Sequence, residues 1–427
     1  MKPLLAHATN YFPGFHTHVG GAEHACARTI EILESLGYEN IIFTLPFDHH
    51  DKNPNIGRSR FLPVPTIESR FPGPLRKYLE VVKWYAWQND FLATAFFRKV
   101  LSGNPIKALN FYNAQFLTLD FFKVAKSHGL KTVYTVYDYW LFCPLTILLD
   151  HRNTICRKHH GPNCSDCLPP VFSSIQRFLL RLRSRWFQKY FSSIDKFIVL
   201  SQASANLLTE MGVRRDKIEI IPVPIDLDSY HPGESDIDDK LIIFAGWYQH
   251  RKGLDLLLRA MPEVVKENPG AKLEIYGGPV KWEPDYEAAL RKLVSLPEIA
   301  NNVKMIGKIP QDRLAKRLRE SAIVVIPEQW ENMSPLLLLE AMALGKVVIA
   351  GNIGGIPEFL EDGKSGFLFK WDDPSDLGRK INEAFRRFSE ISPLFKKTAS
   401  ERIRKLLDPR IIAKKLDNLF CLLSPNS

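Results

Sequence analysis

The feature that most constrains the fold is an alternation of short apolar segments with amphipathic helical segments, which runs through both halves of the chain. In the first half a helix and a strand are predicted within HVGGAEHACARTIEILESLGYENIIFTLP, with further strands beginning at Lys107, Lys131 and Asp195. In the second half KLIIFAG, AKLEIYGG, NVKMIG, AIVVIP and KVVIAG follow one another, with helical segments between them. This alternation predicts doubly wound α/β layers, because parallel strands need a helical crossover.

The two series are separated by IPVPIDLDSYHPGESDIDDK, which is rich in Pro and Asp and predicts a linker. A chain of 427 residues is also too long for one core. We expect a Rossmann-like N-terminal domain over residues 1–226, with a Cys-rich insertion over 143–169, and a Rossmann-like C-terminal domain over 227–404. Residues 405–427 are expected to form a helix that could pack back on the N-terminal domain. Two such domains would face a cleft, the usual place for a ligand.

Composition and charge narrow the class of protein. With 45% hydrophobic and 24% charged residues the chain is typical of soluble globular proteins. No apolar run reaches the ~18 residues of a membrane span, and the first residues are too polar for a secretory signal. We therefore expect a cytoplasmic protein, with contact at the inner face of the membrane left open. A net charge of +10 favours polyanionic partners, but no recognised motif accompanies it that would indicate nucleic acid.

The segment WENMSPLLLLEAMALG, from Trp330 to Gly345, predicts a short apolar helix with a polar entrance. Ser334 is expected to cap it, Pro335 fits its first position, and Gly345 is a suitable stop. The helix N-terminus would present free N–H groups and a positive dipole end, and Glu340 would lie within the helix. The pattern indicates a site for an anion and a hydroxyl-bearing group. The alternative is a buried helix with one surface glutamate.

Three further turns could contribute to such a site. Gly20–Gly21 open a predicted helix, so that backbone N–H groups can approach an anion. Arg251–Lys252 follow the strand KLIIFAG, and Gly277–Gly278 end the strand AKLEIYGG. Each signal is weak alone, because a glycine turn or a lysine–arginine pair is common on a surface. Together they indicate a binding site for a diphosphate.

These segments together resemble the retaining nucleotide-sugar glycosyltransferases of the GT-B fold, family 4 (group 1), from Gly20 to Phe369. The most specific match is PEQWENMSPLLLLEAMALGKVVIAGNIGGIPE. The resemblance implies transfer of a sugar from a nucleotide-diphosphate sugar, carrying UDP or GDP rather than ADP, to a saccharide or lipid-linked acceptor. It implies polysaccharide or glycolipid biosynthesis, retention of configuration and no metal for the chemistry. A catalytically weak protein that binds or scaffolds is the alternative.

The resemblance also assigns roles to individual residues. Glu340 would hold the ribose hydroxyls, and Lys252 would neutralise the diphosphate. Glu331, Arg251 and Lys252 are the expected catalytic residues. The expected donor-binding residues also include Gly20, Gly21, Trp247, Gly277, Gly278, Asn332, Ser334, Pro335 and Leu336.

The chain departs from the family pattern at three places. Eight residues separate Glu331 from Glu340, one more than usual, so Asn332 could take the role of the first glutamate. Trp247 stands where an Arg is common, and Arg251 could supply that charge. On the acceptor side, Asn113, Tyr137 and Asp138 stand in segments whose family patterns contain histidine, and we expect them to meet the acceptor.

Four of the six cysteines are close in sequence, with Cys164 and Cys167 forming a C-x-x-C. In a cytoplasmic chain four thiolates suit a structural zinc better than disulfides. The expected ligands are Cys143, Cys156, Cys164 and Cys167, and His151, His159 or His160 could replace one of them. Free buried thiols or a redox pair are the alternatives.

Two segments raise the question of a membrane. RFLLRLRSRWFQKYF predicts a basic amphipathic helix suited to peripheral contact with an anionic membrane; its basic residues are Arg177, Arg181, Arg183, Arg185 and Lys189. The alternative is a helix packed on its domain with a solvated basic face. LEVVKWYAWQNDFLATAFF, residues 79–97, is predicted to be core and helix-packing surface, and a role in acceptor or membrane binding is the alternative.

Overall fold

The computed structural model describes residues 2–17, 19–48, 55–85, 87–157, 162–167, 174–233, 236–281 and 283–422. His159 and His160, which are candidate zinc ligands, lie outside these ranges. The chain forms two compact units. The first consists of Met1–Pro224 and Pro409–Ser427, and the second of Ile225–Asp408.

The first unit contains an eight-stranded sheet with the order β3-β4-β2-β1-β5-β6-β7-β8. Every neighbouring pair is parallel except β3 and β4. Strand β1, at the centre of the sheet, was not predicted, because five residues beside the polar start show too little periodicity. The strands are β1 (Leu4–Ala8), β2 (Glu39–Thr44), β3 (Asn55–Ile56), β4 (Ser59–Pro63), β5 (Ile106–Phe111), β6 (Lys131–Thr135), β7 (Lys196–Val199) and β8 (Ile218–Ile220).

The helices between these strands are α1 (Gly21–Ser35), α2 (Gly73–Tyr85), α3 (Phe91–Ser102), α4 (Asp120–Ser127), α5 (Ser174–Phe191) and α6 (Gln202–Glu210). Helix α1 buries Ala25, Cys26 and Ile30, as its periodicity predicts. The prediction that residues 79–97 are core and packing surface is wrong at two aromatic residues. Trp87 is 52% exposed and Phe91 is 70% exposed, because both lie at the surface where α2 ends and α3 begins.

The second unit contains a six-stranded parallel sheet with the order β11-β10-β9-β12-β13-β14. Its strands are β9 (Asp238–Tyr248), β10 (Lys272–Pro279), β11 (Val303–Gly307), β12 (Ser321–Ile326), β13 (Val347–Gly351) and β14 (Phe367–Phe369). Its helices are α7 (Leu254–Glu267), α8 (Pro284–Val294), α9 (Gln311–Glu320), α10 (Leu336–Ala343), α11 (Ile356–Phe359), α12 (Pro374–Arg386) and α13 (Phe388–Leu406). The five strands predicted for this half are all present.

The strand order of the second sheet determines where a ligand can bind. The chain moves outward from β9 to β11 and then returns to the other side of β9 to form β12. The carboxyl ends of all six strands meet at one edge, and the direction of winding reverses between β9 and β12. Ligands of open parallel sheets bind at such a switch point.

The last helix, α14 (Pro409–Leu422), belongs to the first unit and packs on α1. The carboxylate of Asp417 accepts hydrogen bonds from the Lys2 ammonium at 2.5 Å and the Tyr38 hydroxyl at 2.7 Å. Both units are Rossmann-like layers of helices on a mainly parallel sheet, so the predicted α/β class and the pair of Rossmann-like domains are confirmed.

Candidate functional site

Two turns at the switch point are joined by one carboxylate. After β9, His250–Lys252 form a single 3₁₀ turn, and the Lys252 ammonium lies 2.5 Å from Oε1 of Glu328, which follows β12. The indole N–H of Trp330 donates to Oε2 of the same carboxylate at 2.5 Å. The Arg251 guanidinium lies 4.8 Å from the centre of the Trp330 ring. The structure therefore places the two predicted cations at the carboxyl edge of the sheet.

Glycine is required where these turns pass close to neighbouring backbone. Gly253 has a φ of 66°, and a Cβ there would lie 1.8 Å from the carbonyl oxygen of Pro327. Gly277 has a φ of 127°, and its Cβ would lie 1.8 Å from the carbonyl oxygen of Gly246. Any side chain would push apart the strands whose ends form the site. The sequence indicated glycine turns, and the structure shows which backbone each one meets.

Burial sets the electrostatics of Lys252. Removal from water lowers the pKa of its ammonium group, and the nearby charge of Arg251 lowers it further, while Glu328 acts in the opposite direction. The charge of Arg251 thus destabilises the protonated form of Lys252, and the Glu328 carboxylate stabilises it. An anionic ligand would add the negative charge that this pair of cations favours.

The helix that follows β12 begins differently from the prediction. The prediction that Ser334 caps α10 is wrong: Pro335 precedes the helix in an extended conformation, and no side chain caps it. Instead Oδ1 of Asn332 accepts the backbone N–H of Ser334 at 3.2 Å. The short amide of Asn332 reaches the N–H two residues along the chain, which satisfies that donor before the helix starts. Helix α10 ends before Gly345, whose φ of 68° provides the predicted stop.

The start of α10 offers hydrogen-bonding groups in a desolvated place. Oγ of Ser334 is buried and has no hydrogen-bond partner among the described residues. The first N–H groups of an α-helix also lack intrahelical acceptors, and the helix dipole favours negative charge there. Buried polar groups are rarely left unsatisfied. This combination suits an anion such as a phosphate.

Glu340 lies inside the helix, as predicted, with 8% of its surface exposed. Its Oε1 is 3.4 Å from the amide nitrogen of Gln311, and that nitrogen is 3.2 Å from the Tyr230 hydroxyl. Burial raises the pKa of the Glu340 carboxyl to about 7, while hydrogen bonds from Tyr230 and Gln311 lower it in part. A carboxylate held in this way would gain from further hydroxyl donors, because they stabilise its charged form.

Glu331 and Asn332 are supported by the glycine turn that follows β13. Both side chains belong to buried residues, with 7% and 8% exposure. The carbonyl oxygen of Asn332 accepts the N–H of Gly355 at 2.8 Å, and a Cβ on Gly354 would lie 2.4 Å from that oxygen. The turn of NIGGIPE therefore holds the polar entrance of α10 in place.

A cation that the sequence analysis did not single out lies beside Trp247. The ammonium of Lys308 is 3.8 Å from the centre of the Trp247 ring, which is a cation–π distance. A Cβ on Gly278 would lie 3.2 Å from Cε of Lys308. Lys308 directly follows β11, just as Arg251 and Lys252 follow β9, and that position was the signal that could have revealed it.

In the first unit, a buried glutamate joins two of the predicted residues. The N–H of Gly20 donates to Oε2 of Glu23 at 2.8 Å, and the amide of Asn113 donates to Oε1 at 3.2 Å. Oδ1 of Asn113 is buried, and nothing in the described ranges satisfies it. Gly21 is the first residue of α1. Glu23, which was not predicted, therefore supplies a carboxylate at this helix N-terminus.

The other two acceptor-side residues belong to separate networks. Asp138 accepts from the Gln115 amide at 2.9 Å, and Gln115 in turn accepts from the Asn10 amide at 2.8 Å. Tyr137 stacks on Tyr112 with ring centres 5.8 Å apart. Burial raises the pKa of the Tyr137 hydroxyl, so it stays protonated at neutral pH.

The comparison with known protein families agrees with this arrangement. Residues 231–389 match the sequence profile described as "Glycosyl transferases group 1", and residues 19–229 match the one described as "Glycosyltransferase Family 4". The chain belongs to the group 1 glycosyltransferases of family 4. The two profiles divide the chain near the boundary between its two units.

Curated relatives match this glycosyltransferase over part of their length. The D-inositol 3-phosphate glycosyltransferase of Acidothermus cellulolyticus is 28% identical over 213 residues, which are 46% of this chain and 47% of that protein. The chain thus aligns with about half the length of the curated relatives it matches.

Solved structures share the fold over the whole chain. The sucrose-phosphate synthase of Thermosynechococcus elongatus has a TM-score of 0.74 at 17% identity, and the comparison covers 99% of both chains. HepE of Anabaena, in complex with UDP-glucose, has a TM-score of 0.68 at 16% identity and covers 98% of this chain and 99% of that one. At these identities the likeness establishes the GT-B fold alone.

The cysteines of this family 4 protein give the predicted zinc no support. Cys143 and Cys164 are buried, Cys156 and Cys167 are half-buried, and none of these four cysteines is in a disulfide. Within the described ranges, no group of three or more His, Cys, Asp or Glu side chains is arranged to hold a metal.

The basic face predicted for α5 is wrong at Arg183. That side chain is 1% exposed, donates to the carbonyl oxygen of Trp140, and has its guanidinium 3.8 Å from the centre of the Phe187 ring. Burial lowers the pKa of Arg183 to about 10. The aromatic ring and the carbonyl replace water around the cation. Arg185 and Lys189 are exposed, and the side chains of Arg177 and Arg181 lie outside the described residues.

Replacing Glu340 by glutamine should stabilise the ligand-free protein at alkaline pH. The folded state keeps the Glu340 proton up to about pH 7, whereas the ordinary pKa is 4.5, so stability falls as pH rises between these values. At pH 8 the cost totals about 3 kcal/mol. We expect Glu340→Gln to raise the thermal midpoint by about 5 °C at pH 8 and by much less at pH 5.

The exposed variant Glu298→Gln is the matched control and should behave like the wild type at both pH values. A stabilisation by Glu340→Gln of equal size at pH 5 and pH 8 would show that the ionisation of Glu340 is not its cause.

Proposed function

We propose that this protein transfers a sugar from a nucleotide-diphosphate sugar to a saccharide or lipid-linked acceptor, with retention, in polysaccharide or glycolipid biosynthesis. The supporting observation is the carboxyl edge of the second sheet, which brings together Lys252, the start of α10 with the buried Ser334 hydroxyl, and Glu340. Cations beside a helix N-terminus suit a diphosphate, and a buried carboxylate suits a pair of hydroxyl groups.

In the proposed complex the nucleotide lies along this edge. Lys252 and Arg251 face the diphosphate, and Glu340 accepts hydrogen bonds from the ribose hydroxyls. Lys308 supplies a further cation near Trp247, where family members commonly carry an arginine. The proposed donor carries UDP or GDP. Among the solved relatives, HepE is described in complex with UDP-glucose.

The proposed reaction exchanges one bond at the anomeric carbon for another. The bond to the diphosphate oxygen breaks, a bond to the acceptor oxygen forms on the same face, and the acceptor proton passes to the leaving phosphate. Lys252, Arg251 and the N–H groups at the start of α10 stabilise the negative charge that develops on the diphosphate. The sugar is oxocarbenium-like in the transition state, and Glu331 is the proposed counter-charge. No cofactor takes part in this step.

Asn113, Tyr137 and Asp138 are the proposed acceptor-side residues. Asn113 carries the clearest structural support, because its buried Oδ1 has no partner in the described part of the chain and could accept a hydroxyl. Gly20 and Gly21 also remain proposed donor residues, although Glu23 already places a carboxylate beside them.

Two earlier expectations remain predictions. The chain includes no described helix that is long and apolar enough to cross a membrane, and peripheral contact with anionic lipid now depends on Arg185 and Lys189 rather than Arg183.

Binding of one structural zinc by the four cysteines is checked by elemental analysis of untagged protein. We expect one zinc per chain; no zinc together with four freely titratable thiols would contradict it.

The donor assignment is tested by a thermal-shift screen against UDP, GDP, ADP and their sugars. A ligand that binds only the native state at a hundred times its Kd adds about 2.7 kcal/mol of stability, so UDP or GDP should raise the midpoint clearly. Glu340→Gln should lose most of that shift, and Glu298→Gln should keep it. A protein shifted by none of these ligands would contradict the proposed donor.

A thermal shift by a nucleotide without turnover of its sugar donor would instead favour the alternative, a catalytically weak protein that binds or scaffolds. Release of nucleoside diphosphate in the presence of crude membranes or oligosaccharide acceptors separates the two, because only an active transferase consumes the donor.

Kinetics of single variants test the two residues before α10. Glu331→Gln should lower kcat while leaving the donor KM nearly unchanged, as expected for an interaction made mainly in the transition state. Asn332→Ala should instead raise the donor KM, because it frees the Ser334 N–H and loosens the turn. If Glu331→Gln is silent and Asn332→Ala lowers kcat alone, the role of the first glutamate belongs to Asn332.

A further inference from the structure

We propose that a cleft on the first unit binds an anionic saccharide chain through residues other than those proposed to bind the donor. The cleft has a volume of about 300 Å³, and its lining includes Trp87, Asn89, Lys123, Trp186, Lys189 and Tyr190. All of these residues belong to the first unit, and none has a role in the proposed transfer. The inference therefore does not depend on the proposed function.

Two indole rings form the apolar walls of this cleft. Trp87 is 52% exposed, and its ring lies 6.2 Å from that of Trp186 at an interplanar angle of 86°. The indole N–H of Trp87 donates to the carbonyl oxygen of Asn89 at 3.1 Å, which fixes the ring while leaving it exposed. Pyranose rings present C–H groups on their faces and hydroxyls at their rims, so they pack on exposed aromatic faces with a polar edge.

Buried hydrogen bonds of Gln88 hold the backbone that carries Trp87 and Asn89. The buried amide of Gln88 donates to the carbonyl oxygens of Lys83 at 2.7 Å and Gln115 at 3.1 Å, and accepts the N–H of Leu119 at 3.1 Å. Lys83 is itself buried. Its ammonium pairs with the carboxylates of Glu68 at 3.0 Å and Asp90 at 2.7 Å. A pre-organised loop loses little entropy when a ligand binds, which favours a binding site over a mobile surface loop.

The charges in the cleft favour an anionic ligand. The Lys123 ammonium lies 4.3 Å from the centre of the Tyr190 ring and 3.0 Å from Oδ1 of Asp120. Asp120 also accepts the Tyr190 hydroxyl at 3.0 Å, so its carboxylate serves both side chains. Lys189 is exposed and forms no ion pair with any described residue. Two cations against one carboxylate leave a positive charge for a uronate, phosphate or sulfate substituent.

The shape of this surface favours a saccharide over a membrane. A lipid surface is met by protruding apolar side chains, such as Phe91 and Phe178, which are 70% and 60% exposed and do not line the cleft. The proposed ligand instead occupies a concave site with apolar walls, amide and hydroxyl groups, and cations. These are the features of a small polar-ligand pocket.

The test uses the full chain and two probes matched in length, a hyaluronan hexasaccharide and a neutral chitin hexasaccharide. Binding is followed by titration calorimetry and by tryptophan fluorescence. We expect the anionic probe to bind, more weakly at high salt, and the neutral probe to bind at least about tenfold less tightly. Trp87→Ala should weaken binding of the anionic probe about tenfold, and Lys189→Gln about fivefold.

Matched controls lie outside the cleft on the same unit. Lys99→Gln removes an exposed charge from α3, and Phe91→Ala removes an exposed aromatic ring, so both should bind the anionic probe like the wild type. Transfer to a short acceptor should be unchanged in Trp87→Ala. The proposal is overturned if the anionic probe does not bind, or if Trp87→Ala binds it normally. It is also overturned if the protein binds anionic vesicles through Phe91 and Phe178 and ignores the saccharide.

Discussion

The contact of the Glu328 carboxylate with Lys252 and Trp330 is the interaction on which the proposed donor site depends. It joins the turn after β9 to the turn after β12, at the point where the winding of the second sheet reverses. Because both turns leave the same edge, one carboxylate holds the Lys252 ammonium and the Trp330 indole N–H, and the Arg251 guanidinium lies over the Trp330 ring. Removing Lys252 would leave the buried Glu328 carboxylate without its cation, which is costly.

Several polar groups in this region are buried in arrangements that lower the stability of the folded protein. Glu340 is buried with a pKa raised to about 7, Lys252 is desolvated beside Arg251, and the Ser334 hydroxyl is buried without a partner in the described ranges. Each arrangement costs folding free energy. Such costs are typical of binding sites, because groups that satisfy one another fully have nothing left for a ligand. The large apolar core of the second unit offsets these costs in folding free energy.

Buried polar groups connect neighbouring elements of the first unit. Glu23 connects the start of α1 to Asn113, and Lys83 connects α2 to the start of α3 through Glu68 and Asp90. Buried hydrogen bonds and ion pairs therefore support Gln88 and Asp90, although the neighbouring Trp87 is exposed. Part of the predicted basic face of α5 is buried around Arg183, whereas Lys189 of the same helix is exposed and lines the cleft.

Local patterns in the sequence determined the elements and much of the proposed donor site. The apolar strands of the second half, the stop at Gly345 and the position of Glu340 within α10 follow from short-range rules of periodicity and chain termination. Contacts between distant residues were decided only by the tertiary structure. Glu328 is 76 residues from Lys252, and Lys308 is 61 residues from Trp247. The start of α10 shows the same division within one turn. Ser334 had the chemistry of a cap, but the residue directly before the helix is Pro335 in an extended conformation, and the Ser334 hydroxyl accepts no helix N–H. Propensity describes what a residue can do locally, and burial and neighbours select which of those interactions forms.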